Sequence, residues 1–62
     1  MAWTDDVIAA LNDIKVKADG TVAAIDGAWP GLDGTEKLKW GAVRGIALGL
    51  SWLADKAIEL LD

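Results

Sequence analysis

The chain is predicted to fold as an all-α antiparallel helical hairpin that assembles as a homo- or hetero-oligomer. Three observations carry this expectation. A single turn cluster lies near the midpoint, apolar residues recur every three or four positions on both sides of it, and 53% of only 62 residues are apolar. A chain of this length buries only about 60% of its unfolded surface when it folds alone. With no cysteine and no histidine there is neither a disulfide nor a Cys/His metal cage to compensate, so company is the default expectation. The partner is another copy or a second short helical polypeptide, and residues 1–62 form one domain.

The first helix is expected over about residues 4–29. Thr4 offers a capping hydroxyl, and Asp5 and Asp6 suit the positive end of a helix dipole. Val7, Leu11, Ile14, Ala18, Val22, Ile25 and Trp29 follow at intervals of three or four, within an arc of roughly 80° at 100° per residue. A competing signal sits inside this stretch. Ile14–Ala18 and Thr21–Ile25 flank Asp19-Gly20, a pair that favours a β-hairpin turn. A hairpin would need no phase relation to Val7, Leu11 or Trp29, yet the phase runs through Gly20, which favours a continuous or kinked helix. Asp-Gly recurs at Asp19, Asp26 and Asp33, seven residues apart, without the alternating oxygen ligands of a calcium loop. No metal site and no cofactor is expected.

Residues 30–34 form the loop, with the only proline, Pro30, beside Gly31 and Gly34. A second helix over about 35–61 follows, with Thr35 as its cap and Glu36 in its first turn. If the two helices lie antiparallel, paired residue numbers add up to roughly 64. That register would set Asp26 near Lys37 and Lys39, Asp19 near Arg44, and Asp5 or Asp6 near Lys56.

The helices differ in their surfaces. The first has a narrow apolar stripe and a broad face bearing Asp5, Asn12, Asp13, Lys15, Lys17, Asp19 and Asp26. The second is apolar around most of its girth, with one narrow polar strip of Lys37, Arg44, Ser51, Asp55 and Glu59. A helix of that kind needs cover on several sides, from lipid or from neighbouring chains. Gly41, Gly45 and Gly49 add a ladder of small residues that lets two helix backbones approach closely, either within the hairpin or between copies. Glycine inside a helix costs about 1 kcal/mol relative to alanine, so three in register ask for a compensating helix-packing contact.

Trp3, Trp29, Trp40 and Trp52 are the only aromatic residues. They serve as packing anchors or, in a hairpin, as interfacial anchors: Trp29 and Trp40 toward the loop end, Trp3 and Trp52 toward the other. Several hairpins in a ring would turn Lys37, Arg44, Ser51, Asp55 and Glu59 toward a water-filled lumen, since ionisable groups at membrane depth face a cavity or one another. Otherwise the strip is a solvated edge or a set of pairs to the first helix.

The stretch Lys39-Trp40-Gly41-Ala42-Val43 and the Gly/Leu/Ile run to Leu53 resemble the short channel-forming proteins of the corynebacterial mycolate outer membrane. That resemblance implies amphipathic helices assembled into an oligomeric pore, begun at Met without a cleaved signal. Some members carry a fatty acyl group on a serine, and Ser51 is the sole serine here. The chain is also similar to leaderless bacteriocins in its tryptophans and its lack of cysteine, but those are cationic and this chain carries −4. A soluble homo-oligomeric scaffold is the alternative that needs no membrane.

Chemistry is largely excluded. There is no imidazole base, thiolate nucleophile or zinc cage, and the best carboxylate pair, Asp55 with Glu59, has no pocket beside it, so no enzymatic activity is expected. Six basic against ten acidic residues argue against a nucleic-acid partner. The chain opens on Met1-Ala2-Trp3-Thr4-Asp5-Asp6, which is no Sec-type signal peptide, and the expected location is the cell envelope or a membrane surface. The prediction for function is a membrane-associated, self-assembling helical protein that forms an oligomeric ion-conducting pore.

Overall fold

The computed structural model describes residues 2–61 and contains two helices that pack against each other. Helix α1 runs Ala2–Ala28, a single 3-10 turn covers Trp29–Gly31, and helix α2 runs Gly34–Leu61. The phase across Gly20 wins over the turn signal: α1 is continuous through Asp19-Gly20, with no positive-φ residue among those described. Pro30 sits in the first positions of the 3-10 turn, where its missing N–H costs nothing. The Leu32 N–H closes that turn on the Trp29 carbonyl at 3.1 Å.

Two caps differ from expectation. Asp33 rather than Thr35 caps α2, since its Oδ1 accepts the Glu36 N–H at 2.8 Å and its carbonyl accepts the Lys37 N–H at 2.9 Å. A carboxylate at this position both accepts an orphan amide and meets the positive helix end. Thr4 lies inside α1, which begins two residues earlier.

Inward positions on α1 are Ile8, Leu11, Lys15, Ala18, Val22 and Ile25, continued by Trp29 in the 3-10 turn; on α2 they are Arg44, Ala47, Ser51, Ala54 and Ile58. Both series step by alternating threes and fours, the seam of an antiparallel coiled coil. Val7 and Ile14, expected in the buried stripe, stand one position off this seam and are 38% and 44% exposed.

The seam holds little mass. Among the described residues only Ala18, Ile25, Ala47 and Ala54 are buried, and three of these are alanines. The radius of gyration is 14.4 Å, where a compact 62-residue domain would have about 10.6 Å. The accessible surface is 4388 Å², against about 3,800 Å² for a compact monomer of 6.5 kDa. The hairpin is a rod 49 Å long with a thin apolar seam and no central core.

Gly20 is helical, has ordinary φ, and has open space where a Cβ would point. Gly20→Ala should therefore stabilise α1 by about 0.5–1 kcal/mol, read as a higher thermal midpoint by circular dichroism. A lower midpoint would mean that this segment is not helical.

Candidate functional site

The polar strip of α2 faces α1. Arg44 donates from Nε to Asp26 Oδ1 at 2.7 Å and from Nη2 to Oδ2 at 3.3 Å. Ser51 donates its hydroxyl to Asp19 Oδ1 at 2.7 Å, and Lys15 donates from Nζ to Asp55 Oδ1 at 3.0 Å. Successive pairs step seven and then four residues along each helix, so they form a polar seam down one flank of the hairpin. The heptad-spaced aspartates thus have structural partners: Asp19 and Asp26 brace the helices and Asp33 caps α2.

This pairing corrects the expected partners. Asp26 meets Arg44 and not Lys37 or Lys39, Asp19 meets Ser51 and not Arg44, and Lys56 bonds Glu59 of its own helix at 3.2 Å rather than Asp5 or Asp6. Side chains slant toward the N-terminus of their own helix, so across an antiparallel pair they converge from staggered α carbons. On this flank the paired residue numbers add to 70 rather than the expected 64.

Of the residues proposed to face a lumen, Arg44, Ser51 and Asp55 are therefore engaged with α1. Lys37 lies over the Trp29 ring, 6.0 Å from its centroid, and Glu59 pairs with Lys56. Charge complementarity moves the titrations apart. The Arg44 guanidinium bonded to Asp26 holds that carboxyl below its ordinary value, Asp26 in turn raises Arg44, and the hydrogen bond to Asp55 raises Lys15.

The glycine ladder divides. A Cβ on Gly41 would meet the Trp29 ring at 3.4 Å, so this residue belongs to the packing within the hairpin. Gly45 and Gly49 have open space beside them and turn away from α1. The tryptophans also divide. Trp29 is half-buried against Gly41, and Trp40, with Lys39 5.4 Å from its ring centroid, is 36% exposed beside the loop. Trp3 and Trp52 are 61% and 60% exposed, with Lys56 5.7 Å from the Trp52 ring centroid.

Opposite the polar seam lies an apolar flank that was not singled out from the sequence. Ile14, Lys17, Ala18 and Thr21 of α1 and Val43, Ile46, Ala47 and Leu50 of α2 line an open groove of about 320 Å³. A second groove of about 320 Å³ continues it at the loop end, between Ala24, Ile25, Ala28, Leu32 and Trp40. The available signal was the stripe Val43-Ile46-Leu50-Leu53-Ala57-Leu60, spaced by threes and fours one position before the inner seam.

No helix among the described residues is long and apolar enough to cross a membrane, and none of their carboxylates gather into a group able to hold a metal ion. No family model, curated protein or solved structure matches the chain.

The Asp26–Arg44 pair generates a pH prediction. Because folding lowers the Asp26 pKa, the stability it contributes is present above the ordinary carboxylate value of 3.8 and is lost as pH falls through the lowered one. Asp26→Asn should lower the thermal midpoint at pH 7 and shrink the fall in midpoint between about pH 5 and pH 2. An identical acid profile in the variant would show that the pair does not bear on stability.

Proposed function

We propose that the chain is a membrane-associated, self-assembling helical hairpin whose assembled form is an oligomeric ion-conducting pore. The observation that carries this reading is the inversion of α2: Arg44, Ala47, Ser51, Ala54 and Asp55 turn toward α1, while Leu38, Ile46, Trp52, Leu53 and Leu60 stand 80%, 65%, 60%, 58% and 88% exposed. Contiguous apolar surface of this kind marks a protein or membrane contact. The hairpin as a unit is amphipathic, with a polar seam on one flank and an apolar groove on the other. In a ring of such units the polar flank is the one suited to water, and the outer ridge of Leu38, Leu48 and Trp52 the one suited to lipid. The Lys56 ammonium over Trp52 fits an interfacial anchor, where an aromatic body and a charged tip share one position. The resemblance of residues 39–53 to corynebacterial channel formers points the same way and supports a location in the cell envelope.

The charge of −4 favours a second reading, a soluble homo-oligomeric scaffold built from the same contacts without lipid. Flotation with phosphatidylcholine vesicles separates the two. Under the first reading the protein rises with the vesicles, its tryptophan emission shifts to shorter wavelength, and Trp52→Ala weakens both effects. Protein that stays at the bottom of the gradient overturns the membrane reading. In a planar bilayer, Asp55→Lys should shift ion preference toward anions; conductance with unchanged selectivity would remove Asp55 from the lining.

A further inference from the structure

We infer that the apolar flank is an interface between two copies of this chain packed end for end, with Trp3 of each copy seated in the loop-end groove of the other. The inference rests on the self-assembly in the proposed function and names its contact; it does not depend on the lipid.

Four observations lead to a second copy as the occupant. The flank is regular: Ile46, Leu53 and Leu60 are seven residues apart, with Val43, Leu50 and Ala57 between them, and helical side chains of a partner interdigitate with such spacing whereas lipid tails have no need of it. Its extent fits. A face 49 by 15 Å between α carbons is on the order of 700 Å², close to the roughly 800 Å² that each partner gives to a standard interface.

A knob and a hole also match. Trp3 precedes Thr21 by 18 residues, five full turns at 3.6 residues each, so it stands on the same flank as the groove residue Thr21, at the opposite end of α1 from the loop. It is 61% exposed. At the loop end, small Ala24 and Ala28 lie with Ile25, Leu32 and Trp40 around an open apolar groove of about 320 Å³ that can receive an aromatic side chain. A two-fold axis across the middle of the rod lays α1 antiparallel on α1, which brings each Trp3 over the other copy's Ala24 and Ala28. Exposed tryptophans that fill a partner's pocket are the residues that dominate binding energy.

Charge selects the same orientation. The charged side chains bordering the middle of the flank on α1 are Lys17 and Asp13, which already pair at 2.9 Å. End-for-end packing sets Lys17 of one copy beside Asp13 of the other, so the four groups alternate in sign. Packing with loop ends together would leave Trp3 away from the partner's loop-end groove.

Sedimentation equilibrium in buffer without lipid or detergent tests the inference. The wild type should give twice the mass of 6.5 kDa. Trp3→Ala should weaken the dimer at least tenfold, and Leu50→Glu with Leu53→Glu should abolish it while helical circular dichroism is retained. Leu38→Glu, on the back of α2, should leave the dimer unchanged. Because the chain lacks cysteine, orientation can be read by cross-linking even if the glutamate variant fails to fold. Trp3→Cys mixed with Ala28→Cys should join through a short bismaleimide, whereas Trp3→Cys alone should not. A monomer at all concentrations, a dimer indifferent to Trp3→Ala, or Trp3→Cys joined to itself would overturn the inference. A dimer that ignores vesicles would sink the membrane reading alone, and a monomer that floats with vesicles would sink this interface alone.

Discussion

The rest of the structure depends on how little two helices can bury between them. The interhelical seam buries alanines at Ala18, Ala47 and Ala54 and one isoleucine, Ile25, half-buries Ile8, Leu11, Val22 and Ile58, and carries polar side chains that find partners across it. Small residues draw the helices close, and close approach lets Asp26–Arg44, Asp19–Ser51 and Lys15–Asp55 bridge directly. Those bridges are partly open to solvent, and exposed ion pairs fix alignment better than they supply stability. On the proposed reading, the remaining free energy of burial that a domain of this size needs comes from apolar surface outside the seam, covered by assembly.

That arrangement explains why α2 looks inverted. An ordinary amphipathic helix spends its large apolar residues on its only partner. Here Leu38, Ile46, Leu53 and Leu60 are held outward while Arg44 and Ser51 occupy inner positions. The consequence is a unit with specificity inside and adhesion outside. Polar pairs define which register the hairpin adopts, and in the proposed assembly the apolar flank and outer ridge define what the hairpin joins.

Much of the fold was legible in the sequence because it rests on local signals. The turn cluster at Trp29–Gly34 and the persistence of phase through Gly20 gave two helices and their antiparallel order. The caps were less legible: Thr35 and Asp33 are both competent, and the choice turned on the 3-10 turn extending the first rod to Gly31. Register on the polar flank was missed because residue counting ignores the N-terminal slant of side chains, which moved Arg44 from Asp19 to Asp26. The candidate lumen strip was legible as a strip, but not its orientation, since Lys37, Arg44 and Ser51 have the spacing of an inner seam as well as of a solvated edge. The apolar flank escaped notice because it is shared between helices; Ile14 and Thr21 acquire meaning only beside Val43 and Leu50.

The most direct test is the thermal midpoint of unfolding measured over about a hundredfold range of protein concentration in plain buffer, since association that favours the folded state makes the midpoint rise with concentration. If the seam is as thin as described, the midpoint climbs steadily as the protein is concentrated. A high midpoint that is the same at every concentration would mean that one hairpin stabilises itself, and would contradict the account.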